Sequence, residues 1–277
     1  MKSLIAFLLL TSAVLHAEEV KVMGSSIVQP PVSDVAKRLR KEQGLEIDIS
    51  VSGGIGAGLA ALANGNATLV MMARELQPED RATYPGVMLT QDKLGYQVAA
   101  LCVSADVWNS GIHKLSAEQV RGIYEGVIKN WKELGGADQK ITFFNWEEGL
   151  GMWELLSTWL YGSTSRSPKG KFTSVESNEE ARNAVEFTKG SIGVMSPKMA
   201  SADTVYPISL SQGGLPIEPT HKNVVSGDYS LSRPLVIVYD DRPRGSAKLF
   251  VDYLLSPLGQ ECFSKRGFFT VSELEDR

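Results

Sequence analysis

Hydrophobic and polar positions along the chain switch between two periods, and each switch marks an element. EEVKVMG alternates and closes on Gly24, which predicts a short strand. Val32, Val35, Ala36 and Leu39 then recur at three- and four-residue spacing, as on a helix with one buried face. Ser25 and Ser26, just before it, read as its caps. LEIDISVS alternates again, SGGIGAG opens the helical run LAALANG, and ATLVMMA is continuous enough for a buried strand. Strand, glycine turn, helix, strand is the grammar of an α/β domain.

A second cycle follows: VAALCVS, a SAEQVRGIYEG helix, ITFFNW, and a GLGMWELLSTWLYG helix. A polar loop, a further helix and the strand SIGVMS come next. The tail RPLVIVYDDRPRGSAKLFVDYLLSPLGQECFSKRGF predicts a strand, a turn and one long helix. No repeat of solenoid period and no low-complexity tract interrupts the pattern.

The apolar opening, MKSLIAFLLLTSAVLHA, has the length and flanks of a secretory signal, with cleavage expected after Ala17. It is short of the roughly 20 apolar residues that span a bilayer. The expectation is a soluble, exported, periplasmic protein. The chain's 277 residues suffice for two modest domains, and its formal charge of -4, with dispersed basic residues, argues against a nucleic-acid surface. Cys102 and Cys262 are far apart in sequence and are expected to stay unpaired.

Catalytic signals are missing. The chain holds no Gly-x-Ser-x-Gly, His-Glu-x-x-His, Cys-x-x-Cys or phosphate-loop lysine motif. His113 and His221 have no ligand spacing, and Met71, Met72, Met152 and Met195 read as core filler, so no metal or other cofactor is expected. Glu147 and Glu148 read as a solvated pair beside a glycine turn. A binding protein is expected, not an enzyme.

In order along the chain, GSSIVQP, VSGGIGAGLAALANG, MMAREL, NWKELGG, EEGLG, SIGVMS, SGDYSLSRPLVIVY and SPLGQECFSKRGF resemble the periplasmic phosphate-binding proteins of ABC transporters. The resemblance implies an α/β, two-lobed, type II periplasmic-binding-protein fold with a hinge crossed twice. Lobe one would comprise residues 18–97 and 236–277, lobe two residues 98–235. It also implies a monomer that holds a small solute, such as an anion, between the lobes and docks on a membrane transporter or sensor.

Carried over residue by residue, the ligand positions are Ser25, Ser26, Ile27, Ser52, Gly53, Gly54, Ile55, Arg74, Gly149, Leu150, Gly151, Met152 and Trp153. Several depart from the family. Ile27 stands where the first loop offers a hydroxyl, and Ile55 where a turn offers serine, though a gap shift could let Ser52 serve. Thr68 stands at the expected proton-accepting aspartate, Ala73 at the serine before Arg74, and Asn145 near an arginine. Leu150, Met152 and Trp153 replace serine, threonine and arginine.

A hydrogen bond to a charged group contributes about 1.5–3 kcal/mol, so losing three costs about 5–9 kcal/mol, or about four to six decades of affinity. Phosphate binding is therefore expected to be weak. Ile27, Ile55, Leu150, Met152, Trp153 and Met195 could instead line a pocket for an organic solute, or pack lobe against lobe and leave an interaction module without a ligand. Arg74 could grip a ligand anion or pair within lobe one, with Asp80 as one partner.

Overall fold

The computed structural model describes residues 19–200 and 203–275; the expected signal segment, 1–17, lies outside the described residues. β1 (Val20–Gly24), β2 (Ile47–Ser50) and β3 (Leu69–Met72) run parallel, connected by α1 (Gln29–Gln43) and α2 (Gly54–Ala63). The short α3 (Pro78–Thr83) leads into β4 (Leu89–Val98). Ala99 alone separates β4 from β5 (Ala100–Ser104), which belongs to a different sheet.

That second sheet adds β6 (Lys114–Leu115), β7 (Thr142–Trp146), β8 (Thr173–Val175), β9 (Ser191–Met195), β10 (Val205–Gln212) and β11 (Leu215–Ile217). Around it lie α4 (Ala105–Asn109), α5 (Ala117–Tyr124), α6 (Gly151–Tyr161), α7 (Asn178–Phe187) and α8 (His221–Val225). The chain returns through residues 229–231 into β12 (Ser232–Asp240), then α9 (Gly245–Leu255), α10 (Pro257–Lys265), β13 (Phe269–Thr270) and α11 (Val271–Glu275).

Sheet one has the order β13-β4-β12-β3-β1-β2, and sheet two β11-β10-β5-β9-β7-β8 with β6 beside β10. Both are mixed: β12 runs antiparallel to β3 and β4, and β5 antiparallel to β9 and β10. The architecture is thus α/β with two sheets that the chain links twice. The boundary expected at 235/236 falls inside β12, at its bulge opposite Gly95, and β12 already pairs with β4 from Ser232.

Sheet one is buried on both faces, which is why β3 reads as an unbroken apolar run. Met71 joins Val32, Leu39, Phe250 and Phe263 on one face, and its neighbour Met72 joins Leu59, Val70, Val236 and Val238 on the other. Sheet two has its own core around Leu101, Tyr124, Trp131 and Leu156. Gly24 ends β1 at φ +126°, and a Cβ there would lie 2.2 Å from the Met71 carbonyl oxygen. Only glycine lets the loop after β1 leave so close to β3.

Two local expectations are corrected. α1 starts at Gln29 with no side-chain cap; Ser25 instead accepts a hydrogen bond from the Ile27 amide, shaping the loop. The long C-terminal helix is two helices, because Pro257 cannot continue α9 and opens α10, with Ser256 accepting from the Gly259 amide. Cys102 is fully buried in β5 and Cys262 half-buried in α10, both as free thiols. Among the described residues no helix is long and apolar enough to cross a membrane.

Candidate functional site

The carboxyl ends of β1, β2, β3 and β7 lead into loops that meet between the two sheets, the usual place for a ligand on open α/β sheets. Two helices start there. α2 begins after Gly53, and α6 begins at Gly151; neither has a side-chain cap. Among the described residues the amides of Ile55 and Gly56 in α2, and of Gly151, Met152 and Trp153 in α6, meet no acceptor. Each end therefore offers free N–H groups and the positive end of a helix dipole.

Ile27 sits between those ends. A Cβ on Gly151 would lie 3.3 Å from Ile27 Cγ1 and 3.2 Å from Gln97 Nε2. An apolar side chain from the first loop thus presses on the start of α6. Cavities lie on either side. One, of about 400 Å³, is lined by Ser26, Ile27, Trp146, Leu150, Gly151 and Met152 among others. The second, of about 360 Å³, is lined by Ser25, Ser26, Ile27, Gly54, Ile55 and Arg74, with Glu154 and Arg233.

Both arginines of the second chamber are committed. Arg74 forms a two-pronged pair with Asp80, at 2.5 and 2.8 Å, and donates to the Glu75 carbonyl at 3.0 Å. Asp80 holds the Arg74 pKa above its ordinary value, and Arg74 in turn holds the Asp80 carboxyl below its own. Pairing within sheet one therefore takes the fork that a ligand would need. Arg233 donates from Nε to Gln97 Oε1 at 2.8 Å and from its NH2 group to the Gly151 carbonyl at 2.7 Å, with Glu154 at 3.6 Å. Burial draws its pKa down to about 10, against the opposing pull of Glu154.

The predicted positions divide into three groups. Ser25, Ser26, Ile27, Gly54, Ile55, Arg74, Gly149, Leu150, Gly151 and Met152 line one chamber or the other. Ser52 and Gly53 are exposed beside the start of α2. Trp153 turns away: only 5% exposed, it packs in the sheet-two core with Met195, so neither builds a cleft wall. Thr68 is also displaced. Its hydroxyl joins the Lys21 amide and the Glu19 carbonyl at the amino end of β3, whereas the cleft opens at the carboxyl end. Asn145 is buried in β7 with its Oδ1 unpartnered among the described residues. Glu147 and Glu148 are exposed, as a solvated pair would be.

Sequence reasoning missed Arg233, Glu154 and Gln97. It also missed a second set of bonds across the cleft. Ser196 donates to the Gly267 carbonyl at 2.5 Å, and Lys198 reaches Ser264 at 2.8 Å and Glu273 at 2.7 Å. His221 stacks on Phe269 with ring centroids 4.0 Å apart. Burial alone would raise the Glu273 pKa, but its bonds from Lys198 and Thr270 hold it below the ordinary value.

A family model described as the PBP superfamily domain matches residues 13–257. The phosphate-binding protein PstS of Bacillus subtilis (strain 168) is 26% identical, over 92% of this chain and 81% of its own. Among solved structures, an ABC-type phosphate transport receptor from Vibrio cholerae superimposes with a TM-score of 0.69 at 24% identity, over 91% of this chain and 100% of the other. A protein from Planctomyces limnophilus, described as a possible phosphate binding protein, gives 0.78 at 20% identity, over 94% and 95%.

Proposed function

The chain belongs to the PBP superfamily, and on that premise we propose that it is an exported solute-binding receptor, not an enzyme, that holds its ligand between the two sheets. Phosphate-binding relatives with an ABC-transport role support a small anionic ligand and a membrane transporter or envelope sensor as the partner of the closed form. The lobes would be built one on each sheet and move about the two crossings, at Ala99 and at residues 229–231.

The ligand we infer is an organic solute with one anionic group, and free phosphate binds weakly. The observation that carries this is Ile27 packed on Gly151, where the first loop meets the helix that would cradle a phosphate. A phosphate dianion there finds free amides, but each lining guanidinium already has a partner: Arg74 has Asp80, Arg233 has Glu154, Gln97 and Gly151, and Arg266, which lines the first chamber, has Asp34 on its Nε. A charge removed from water without enough partners is unfavourable. A carboxylate or phosphate ester can leave its charge at the rim, on the α2 amides, and lay its body on Ile27, Leu150 and Met152.

Calorimetric titration of ligand-stripped protein with inorganic phosphate, and native mass spectrometry of protein as isolated, test this together. Weak phosphate binding and a copurifying organic anion are expected. Sub-micromolar phosphate binding would overturn the reading. The bonds of Ser196 and Lys198 across the cleft favour one alternative, an interaction module that stays closed without ligand. A scattering radius that never changes, with no copurifying solute, would make that alternative the better account.

A further inference from the structure

We propose that sheet two carries a second ligand site, at the end away from the cleft, for an anion attached to an apolar body. A cavity of about 530 Å³ opens between the end of α5, the start of β7 and the loop around Gly170. That is ample for a small organic ligand. β7 joins the two regions: Thr142 and Phe143 line this cavity, Trp146 lines the cleft, and the rise of a strand separates its ends by about 13 Å. The site does not depend on what the cleft binds.

Its floor is apolar, formed by Ile123, Ile128, Ile141 and Phe143. Its rim is basic. Lys129, Lys140, Lys169 and Lys171 all line the opening, and among the described residues none of them has a carboxylate partner. Elsewhere Lys132 pairs with Asp138 and Lys248 with Asp252, while Lys37, Lys41, Lys114, Lys189 and Lys222, like the four at the rim, have no carboxylate partner among the described residues. One carboxylate, Glu125, also lines the cavity, leaving an excess of three positive charges in a chain whose formal charge is -4. Glu125 Oε1 and the Tyr161 hydroxyl are both buried without a hydrogen-bond partner among the described residues, and burial, with that carboxylate, pushes the Tyr161 pKa up to about 12.

The loop that carries Lys169 and Lys171 is held by its backbone. Gly170 lies between Lys169 and Lys171 and donates its amide to the Tyr124 carbonyl at 2.9 Å. A Cβ on Gly170 would sit 2.7 Å from that oxygen, so the loop is pinned tightly to the end of α5. A basic rim over an apolar floor suits a phosphate monoester or carboxylate carrying an aromatic or short acyl group. Lysines act as point charges and need no planar, two-pronged geometry. The same chemistry is offered by a free metabolite or by an anionic lipid headgroup with its adjoining chain.

Phenyl phosphate, inorganic phosphate and vesicles of phosphatidylglycerol are the probes, used on the full mature chain. Phenyl phosphate is expected to bind at least about tenfold more tightly than inorganic phosphate and to weaken as salt rises. Hydrogen exchange should slow at residues 123–129, 140–143 and 169–171. The combined change K129Q, K140Q, K169Q, K171Q touches only exposed side chains and should weaken binding at least about tenfold, with K140Q and K171Q singly giving part of the loss. Vesicle binding lost in the same variant would support the site with a lipid as its source. Equal affinity for the two phosphates, protection confined to residues 25–28 and 149–153, or no binding of any probe would each overturn it.

Discussion

α2 and α6 start on opposite sides of one cleft, both opened by glycine and both without a side-chain cap, yet their surroundings differ. Around α2 the chain stays wet: Ser52 and Gly53 are exposed, and Ile55 is half-buried against a small core cluster. At α6 the first turn is nearly dry, with Met152 and Trp153 buried in the sheet-two core and Ile27 pressed on Gly151. Free amides and a helix dipole are common to both. The side chains decide whether such an end faces a ligand or anchors a core.

The largest test of that contrast is Trp153→Ala. Trp153 fills the sheet-two core, so its removal should cost about 3–5 kcal/mol in urea-monitored stability. A loss below about 1 kcal/mol would mean that the α6 end is as tolerant as the α2 end. For the same reason Trp153→Arg is expected to unfold this part of the chain before it binds anything.

Glu154→Ala comes next. It leaves Arg233 enclosed with no carboxylate, a change that costs about 3–5 kcal/mol in a fully buried pair. Glu154 keeps 28% of its side-chain exposure, so about 2 kcal/mol is expected, with Arg233 as the coupled partner in a double-mutant cycle. Additive single effects would show that the pair does not act across the start of α6.

Ile27→Thr replaces the apolar contact on Gly151 with a hydroxyl beside free amides. Phosphate affinity by calorimetry should rise about tenfold, equivalent to about 1.4 kcal/mol. No gain in a folded variant would mean that the α6 amides stay inaccessible whatever occupies position 27. The smallest effect belongs to Ser52→Ala at the α2 end. Exposed and, among the described residues, bonded only through its own amide to the Ser50 hydroxyl, Ser52 should change stability by no more than about 0.5 kcal/mol on truncation. A larger loss would erase the difference between the two helix starts.

Much of the fold was legible because its signals are local. Val20 to Gly24, Leu69 to Met72 and the helix face of Val32, Val35, Ala36 and Leu39 lie where their periods place them. The break between α9 and α10 was misread as one long helix although its signal is local, since Ser256 and Pro257 are a cap and a first-turn proline. β10 went unread: its strand is specified by pairing with β5, about 100 positions earlier, more than by its own sequence. At the candidate site the glycines and the loop order were legible, but side-chain directions were not. Trp153 and Leu150 are equally apolar in sequence, and only the turn into α6 sends one to the core and leaves the other at the cleft.

The sequence by itself determined where the chain turns and which runs are buried, because each depends on neighbours within a few residues. Tertiary structure decided the electrostatics. Arg233 lies 136 positions from Gln97 and 82 from Gly151, distances over which no sequence period carries information. Once folding brings them together, burial strengthens each interaction and penalises each unpaired charge, so contacts distant in sequence settle which cation remains free for a ligand.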